Sequence, residues 1–285
     1  MRLVALVLVL LTVSCSRVPN PELPSSGPRL VVLSPALAVI LKDIGAGELV
    51  VGRHNYDMVF PDLPACGQQG SIDYEQLIAV APTDILIEWG AMPLPKRLKA
   101  LASANDWTIH RYELKTLDDI LLAASELEAR YAPRGPDEPV AARCERAWAR
   151  RDHLERAGRV LLLAAVEPPT ALGPGSFHAE LLERLGATPA VTDGGPWIEL
   201  GLEDIVRMAP DAIVLVQPRK NGQGVGSVGT SALEHFGPLA RLHVPAVENE
   251  RLAVLDAELY HTPSTATIQL AEDLASVLER WACEP

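Results

Sequence analysis

An α/β fold of two Rossmann-like lobes, each with a parallel sheet and joined by a single long α-helix, follows from three observations in this 285-residue chain. Short β-branched runs alternate with helical patterns, which is the signature of parallel sheets flanked by helices. The same order of elements occurs twice. A charge-rich segment bounded by Pro136 and Gly158 separates the two copies. With 48% hydrophobic and 22% charged residues, the composition is that of a globular protein able to fill two lobes.

The chain opens on a targeting segment, residues 1–15. Arg2 precedes a nearly unbroken apolar run over residues 3–13, the length of a secretion-signal core and too short to span a bilayer. It ends in Leu11-Thr-Val-Ser-Cys15, which resembles a lipobox with Thr12 in place of the usual leucine, so Cys15 is the expected lipidation site. Residues 16–28 are rich in Pro and Ser without periodicity, as in a flexible tether.

The first lobe is expected over residues 29–135. Arg29-Leu-Val-Val-Leu33 reads as a buried strand, and the helical pattern from Ala36 stops at Gly45. Ala81-Pro82 ends a helix before the strand Ile85-Leu-Ile87, and Trp107-Thr-Ile109 is a further strand. Thr116 caps a helix with Asp119 in the capping-box position. Residues 136–158, dense in Arg, Glu and Ala, read as one long connecting helix.

The second lobe, residues 159–285, repeats the first. Arg159-Val-Leu-Leu-Leu163 echoes residues 29–33. Glu203-Asp-Ile-Val-Arg-Met-Ala209-Pro210 echoes Glu75-Gln-Leu-Ile-Ala-Val-Ala81-Pro82, and a buried strand follows each. A strand near residues 251–255 and a closing helix over about residues 263–281 complete it.

Several function classes fall away. A net charge of -12 without any basic run excludes a nucleic-acid partner. There is no GxSxG, HExxH or CxxC. One disulfide among Cys66, Cys144 and Cys283 is open in an oxidising compartment, with its pairing undetermined. Gly224-Val-Gly-Ser-Val-Gly229 is formally GxGxxG, the basis for an alternative nucleotide-cofactor-dependent enzyme. Seven residues separate it from the preceding strand, however, so a Gly-rich flap is the expectation.

The ordered features resemble the helix-linked periplasmic binding proteins for iron-siderophores, haem and cobalamin, from about residue 29 to 281. They include Leu33-Ser-Pro35, Val51-Gly-Arg53, Gly173-Pro-Gly-Ser-Phe177, and Trp197 shortly before the second glutamate. The resemblance implies a monomeric carrier with no catalytic residue and no cofactor. Its partners would be an ABC permease dimer and an iron chelate or corrinoid held between the lobes, with the membrane met only through the lipid anchor. Glu75 and Glu203 match the positions that dock on permease arginines. Each falls in the first turn of a short helix, where the dipole favours an exposed carboxylate.

Tyr56 matches a loop that presents an aromatic group to the ligand. Trp89 follows a strand at the carboxyl edge where open α/β sheets place ligands. Trp197, His54, His178 and His261 are loop or helix-start candidates for the same cleft, and Arg53 is a candidate partner for ligand carboxylates. The histidines with a carboxylate leave a direct Zn or Mn receptor as an alternative. Tyr56 with His54 favours iron or haem, whereas the tryptophans favour a flat corrinoid, and the choice stays open.

Overall fold

The computed structural model describes residues 27–132 and 137–283. Cys15 and almost all of the tether, expected over residues 16–28, lie outside them.

The first unit runs β1 (Leu30–Leu33), α1 (Pro35–Asp43), β2 (Val50–Arg53), β3 (Gly67–Gln68), β4 (Ser71–Ile72), α2 (Tyr74–Val80), β5 (Asp84–Glu88), α3 (Lys96–Ala104) and β6 (Thr108–Tyr112). β1, β2, β5 and β6 form a parallel sheet in the order β2-β1-β5-β6. Two helices follow, α4 (Leu117–Tyr131) and α5 (Val140–Ala147). The second unit runs β7 (Arg159–Val166), β8 (Pro169–Leu172), α6 (Phe177–Leu185), β9 (Thr188–Pro189), β10 (Trp197–Glu199), α7 (Leu202–Met208), β11 (Ala212–Val216), β12 (Val225–Val228), α8 (Pro245–Glu248), β13 (Leu252–Leu255) and α9 (Thr267–Cys283).

Three expectations need correction. The second sheet, β10-β8-β7-β11-β13-β12, is mixed instead of wholly parallel. Only two residues join β7 to β8, too few for a crossover, so that pair is antiparallel. The GxGxxG stretch is neither a phosphate loop nor a flap. It is β12, an edge strand antiparallel to β13. Its glycines admit a close neighbour: a Cβ on Gly226 would meet the Asp256 carboxylate at 2.8 Å.

The third correction concerns the connecting helix. Residues 136–158 are expected as one rod, and the described part, 137–158, is not one. α5 stops where Trp148 turns into the core, and a short 3-10 turn (Leu154–Ala157) leads to Gly158 at φ +79°. α4 ties the units instead. The Leu117 N–H at its start donates to Glu180 of α6 at 2.9 Å, and Arg184 of α6 reaches Asp118 at 2.7 Å. At its other end the Tyr131 hydroxyl donates to Asp84, the first residue of β5, at 3.1 Å. Thr116 and Asp119 close the capping box as expected.

Strand periodicity shows how the units join. Leu30 and Val32 face one core, and Val31 and Leu33 face another. In the second unit Val160, Leu162, Val214 and Leu255 face that same first core, while Leu161, Leu163, Ile213 and Val254 face a third. One continuous apolar layer, carried by α1, α4, α5, α6 and α9, therefore lies against both sheets. α1 is buried at six consecutive positions, residues 36–41, as a helix covered on all sides must be. Burying a Leu or Phe-sized side chain contributes roughly 2 kcal/mol, so a shared layer of this extent resists separation of the units.

Candidate functional site

The strand order reverses between β1 and β5, because the chain passes from β1 to β2 on one side and then returns to β5 on the other. Such a switch point opens a crevice at the carboxyl ends of the strands. A cavity of about 390 Å³ lies there, lined by Ser34 after β1, His54 after β2, Glu88 and Trp89 at the end of β5, and Glu113 and Lys115 after β6.

Ser34 caps α1, accepting from the Leu37 N–H at 3.3 Å while its own hydroxyl donates to Glu88 Oε2 at 2.9 Å. Burial raises the Glu88 carboxyl above the usual carboxylate range, and the Ser34 hydrogen bond opposes that rise. Sequence reading passed over Glu88. The available signal was a carboxylate closing an otherwise apolar strand, Ile85-Leu-Ile87-Glu88.

Of the expected first-lobe residues, His54 and Trp89 line this cavity. Trp89 forms a wall and is not a free platform: it is 5% exposed and its indole N–H donates to the Pro93 carbonyl at 3.2 Å. The His54 Nδ1 accepts from the Tyr56 N–H at 3.1 Å, and burial lowers the pKa of the imidazole. Tyr56 is 72% exposed, with its ring 5.8 Å from His54. Arg53, the expected partner for ligand carboxylates, does not line this cavity. It donates to the carbonyls of Leu63, His54 and Asn55 at 2.9–3.1 Å and so braces the loop that carries Tyr56.

Glu113 and Lys115, which form an ion pair, lead directly to Thr116. Thr116 lines a second cavity of about 240 Å³ with Gly175 and Ser176 at the start of α6 and Glu180 and Glu183 along it. Gly173 beside it donates to the Pro196 carbonyl at 3.2 Å, next to Trp197. Lys115 and Thr116, consecutive in the chain, thus line one cavity each, and the second cavity lies between the units.

The structure brings Trp197, His261 and His178 together. The ring of Trp197, 54% exposed, stands edge-on to His261 at 5.6 Å. Trp197 opens the edge strand β10, not a loop as expected. His261 Nδ1 is 3.2 Å from His178 Nε2, which is also 2.8 Å from the Tyr260 carbonyl. Since that carbonyl requires a donor, Nε2 of His178 carries the proton and His261 Nδ1 accepts. His178, expected at the cleft, is 2% exposed and stacked on Phe177 at 3.9 Å, so its ring is covered by the protein. Burial pushes its pKa down to about 3, aided by His261, and burial lowers that of His261 as well.

A larger cavity of about 410 Å³ is lined by Val39 and Asp43 of α1, Arg143 of α5 and residues 257–260. It lacks the strand ends and the expected aromatic groups.

Glu75 and Glu203 occupy the same place in two matching helices. α2 and α7 have seven residues each, and both end on a left-handed alanine, Ala81 at φ 43° and Ala209 at φ 45°. Leu77 and Ile205 anchor them with no exposure, while Ile78 and Val206 stand exposed beside the glutamates. Both glutamates are exposed, and neither joins an ion pair among the described residues. Even the fastening repeats. Arg29 donates to the last carbonyls of α2 (Val80, Ala81), and Arg159 donates to those of α7 (Met208, Ala209). Equivalent placement of the two arginines was visible in the sequence echo, but their role was not.

Cys66, Cys144 and Cys283 are free thiols, so the disulfide left open above does not form among the described residues. Burial pushes the Cys66 and Cys144 thiols up to about 11 and 12. No helix among the described residues is long and apolar enough to cross a membrane.

No protein-family model matches the sequence, and no curated protein matches it. Solved structures do. The vitamin B12-binding protein BtuF of Vibrio cholerae superposes with a TM-score of 0.64 at 19% identity, over 90% of this chain and 98% of that one. The haem-binding protein BhuT, solved with two haems, gives 0.64 at 20% identity over 90% and 99%. RhuT of Roseiflexus sp. RS-1, a haem-binding protein in its apo form, gives 0.62 at 19% over 90% and 100%. At such identities the likeness is one of fold, and the chain has the two-lobed α/β fold of the periplasmic cobalamin- and haem-binding proteins.

Proposed function

We propose that this protein is the substrate-binding component of an ABC importer. It captures an iron chelate (a siderophore or haem) or cobalamin in the interlobe cleft and delivers it to a membrane permease, without catalysing a reaction. The observation that carries this reading is the pair of matched helices, α2 and α7, on two copies of one unit whose strand ends border a cleft. A carrier needs a site between its lobes and the same handle on each lobe for a two-fold partner.

In this reading Tyr56, His54 and Trp89 contact the ligand from the first lobe, and Trp197 and His261 from the second. Aromatic faces suit the flat ring of a corrin or porphyrin. Glu75 and Glu203 dock on permease arginines by charge-assisted hydrogen bonds, with Ile78 and Val206 as apolar contacts beside them. Arg53 and His178 are scaffold. The chain is exported and held at the membrane by an acyl group on Cys15.

A direct Zn or Mn receptor is less well supported. It requires three or four converging ligands, and no group of three or more His, Cys, Asp or Glu able to hold a metal occurs among the described residues. Tryptophan fluorescence titrated with haemin, cyanocobalamin and a ferric catecholate tests the carrier reading. Quenching by one of them in the micromolar range or tighter is expected, and silence with all three overturns it.

A further inference from the structure

The two copies differ most informatively at one register position. β5 and β11 each begin two residues after the proline that ends the preceding helix, and each has five residues. Counted this way, Ile85 corresponds to Ile213, Leu86 to Val214 and Ile87 to Leu215, so Glu88 corresponds to Val216. Val216 is 2% exposed and packs in the shared apolar layer. The first lobe therefore places a carboxylate where the second keeps a core valine. A local breach of the burial pattern belongs at functional sites. Glu88 is held there by Ser34 through Oε2 alone, which leaves Oε1 for a donor on a ligand.

The charges around it point the same way. Carboxylates line both cavities: Glu88 and Glu113 against one ammonium, Lys115, in the first, and in the second Glu183 beside Glu180, which Arg184 pairs at 2.8 Å. Lys115 already pairs with Glu113. Two nearby arginines are already engaged and line neither cavity: Arg53 donates to the carbonyls of its own loop, and Arg111 to those of Gly90 and Met92. A cleft lined by one sign of charge focuses its field on whatever enters.

We propose that the cleft selects a metal chelate of zero or positive net charge that presents N–H donors, as amides or ammonium, to Glu88, and that it disfavours polyanionic chelates. This rests on the carrier reading above and narrows its ligand.

The test is a binding series on the full chain with four probes: cyanocobalamin (uncharged, rimmed with amides), ferrioxamine B (cationic), haemin (two propionates) and ferric enterobactin (a trianion). Cyanocobalamin or ferrioxamine B should bind at least about tenfold tighter than haemin and ferric enterobactin, since like charges oppose the latter two. Glu88→Gln, which still accepts from Ser34, should weaken the preferred probe by roughly tenfold, the effect of losing a hydrogen bond to a charged group. It should also narrow the gap to the anions. The proposal is overturned if haemin or ferric enterobactin binds tightest, or if Glu88→Gln leaves the ranking and affinities unchanged. Failure of all four probes would instead remove the carrier reading, and the proposal with it.

Discussion

The first and second lobes are built on one plan and diverge at the cleft. Their outer faces match closely: anchors Leu77 and Ile205, exposed Ile78 and Val206, glutamates 75 and 203, and the fastening arginines 29 and 159. Their inner edges do not. The first lobe offers a hydroxyl–carboxylate pair, Ser34 with Glu88. The second offers Trp197 on a neutral histidine pair. In the carrier reading proposed above, a symmetric partner accounts for the alike outer faces and an asymmetric ligand for the different cleft edges.

The largest expected effect strikes the shared feature. Replacing Glu75 and Glu203 together by Ala should reduce cellular uptake to background while leaving chelate affinity unchanged in a binding titration. A loss of affinity would place them in the pocket and break the comparison.

Next come the anchors. Leu77→Ala and Ile205→Ala should each cost about 3 kcal/mol in urea unfolding, as fully buried aliphatics do. Markedly unequal costs would show that the two helices are not equivalent.

Arg29→Ala and Arg159→Ala should each cost about 1 to 2 kcal/mol, because each removes a charged donor from two carbonyls at a helix end. Hydrogen exchange should quicken first in α2 for the former and in α7 for the latter.

The smallest effects depend on pH and separate the two cleft edges. Burial raises the folded pKa of Glu88, so the folded state binds its proton more readily than the unfolded chain does. Its contribution to stability is therefore lost as pH rises from the ordinary 4.5 through the raised value. Glu88→Gln should melt higher than the parent at neutral pH, and this advantage should vanish below 4.5. His178 behaves oppositely. Its pKa falls from 6.5 unfolded to about 3 folded, so the unfolded chain takes up a proton that the folded protein refuses. Stability should drop as pH falls below 6.5, and His178→Gln should flatten that slope in urea melts.

Much of this was legible in the chain. Helix caps are local chemistry, so Thr116 with Asp119 and the Ala-Pro stops at residues 81–82 and 209–210 could be read directly. The matched glutamates could be read because identical spacing from a proline fixes identical placement on a helix. By contrast, residues 136–158 looked helical by composition, yet the turn of Trp148 into a core assembled from distant elements ends α5 there. Arg53 looked like a ligand contact, and only the folded loop shows carbonyls of Leu63, His54 and Asn55 around it.

By itself the sequence determined two α/β units, their repeated order and their outward acidic helices, because period, cap and stop signals act over a few residues. Tertiary structure alone decided that α4 ties the units, that one apolar layer lies against both sheets, and that Glu88 and not Arg53 lines the cavity at the strand ends. Those outcomes depend on which residues far apart in the chain come within contact distance, and no local pattern encodes that.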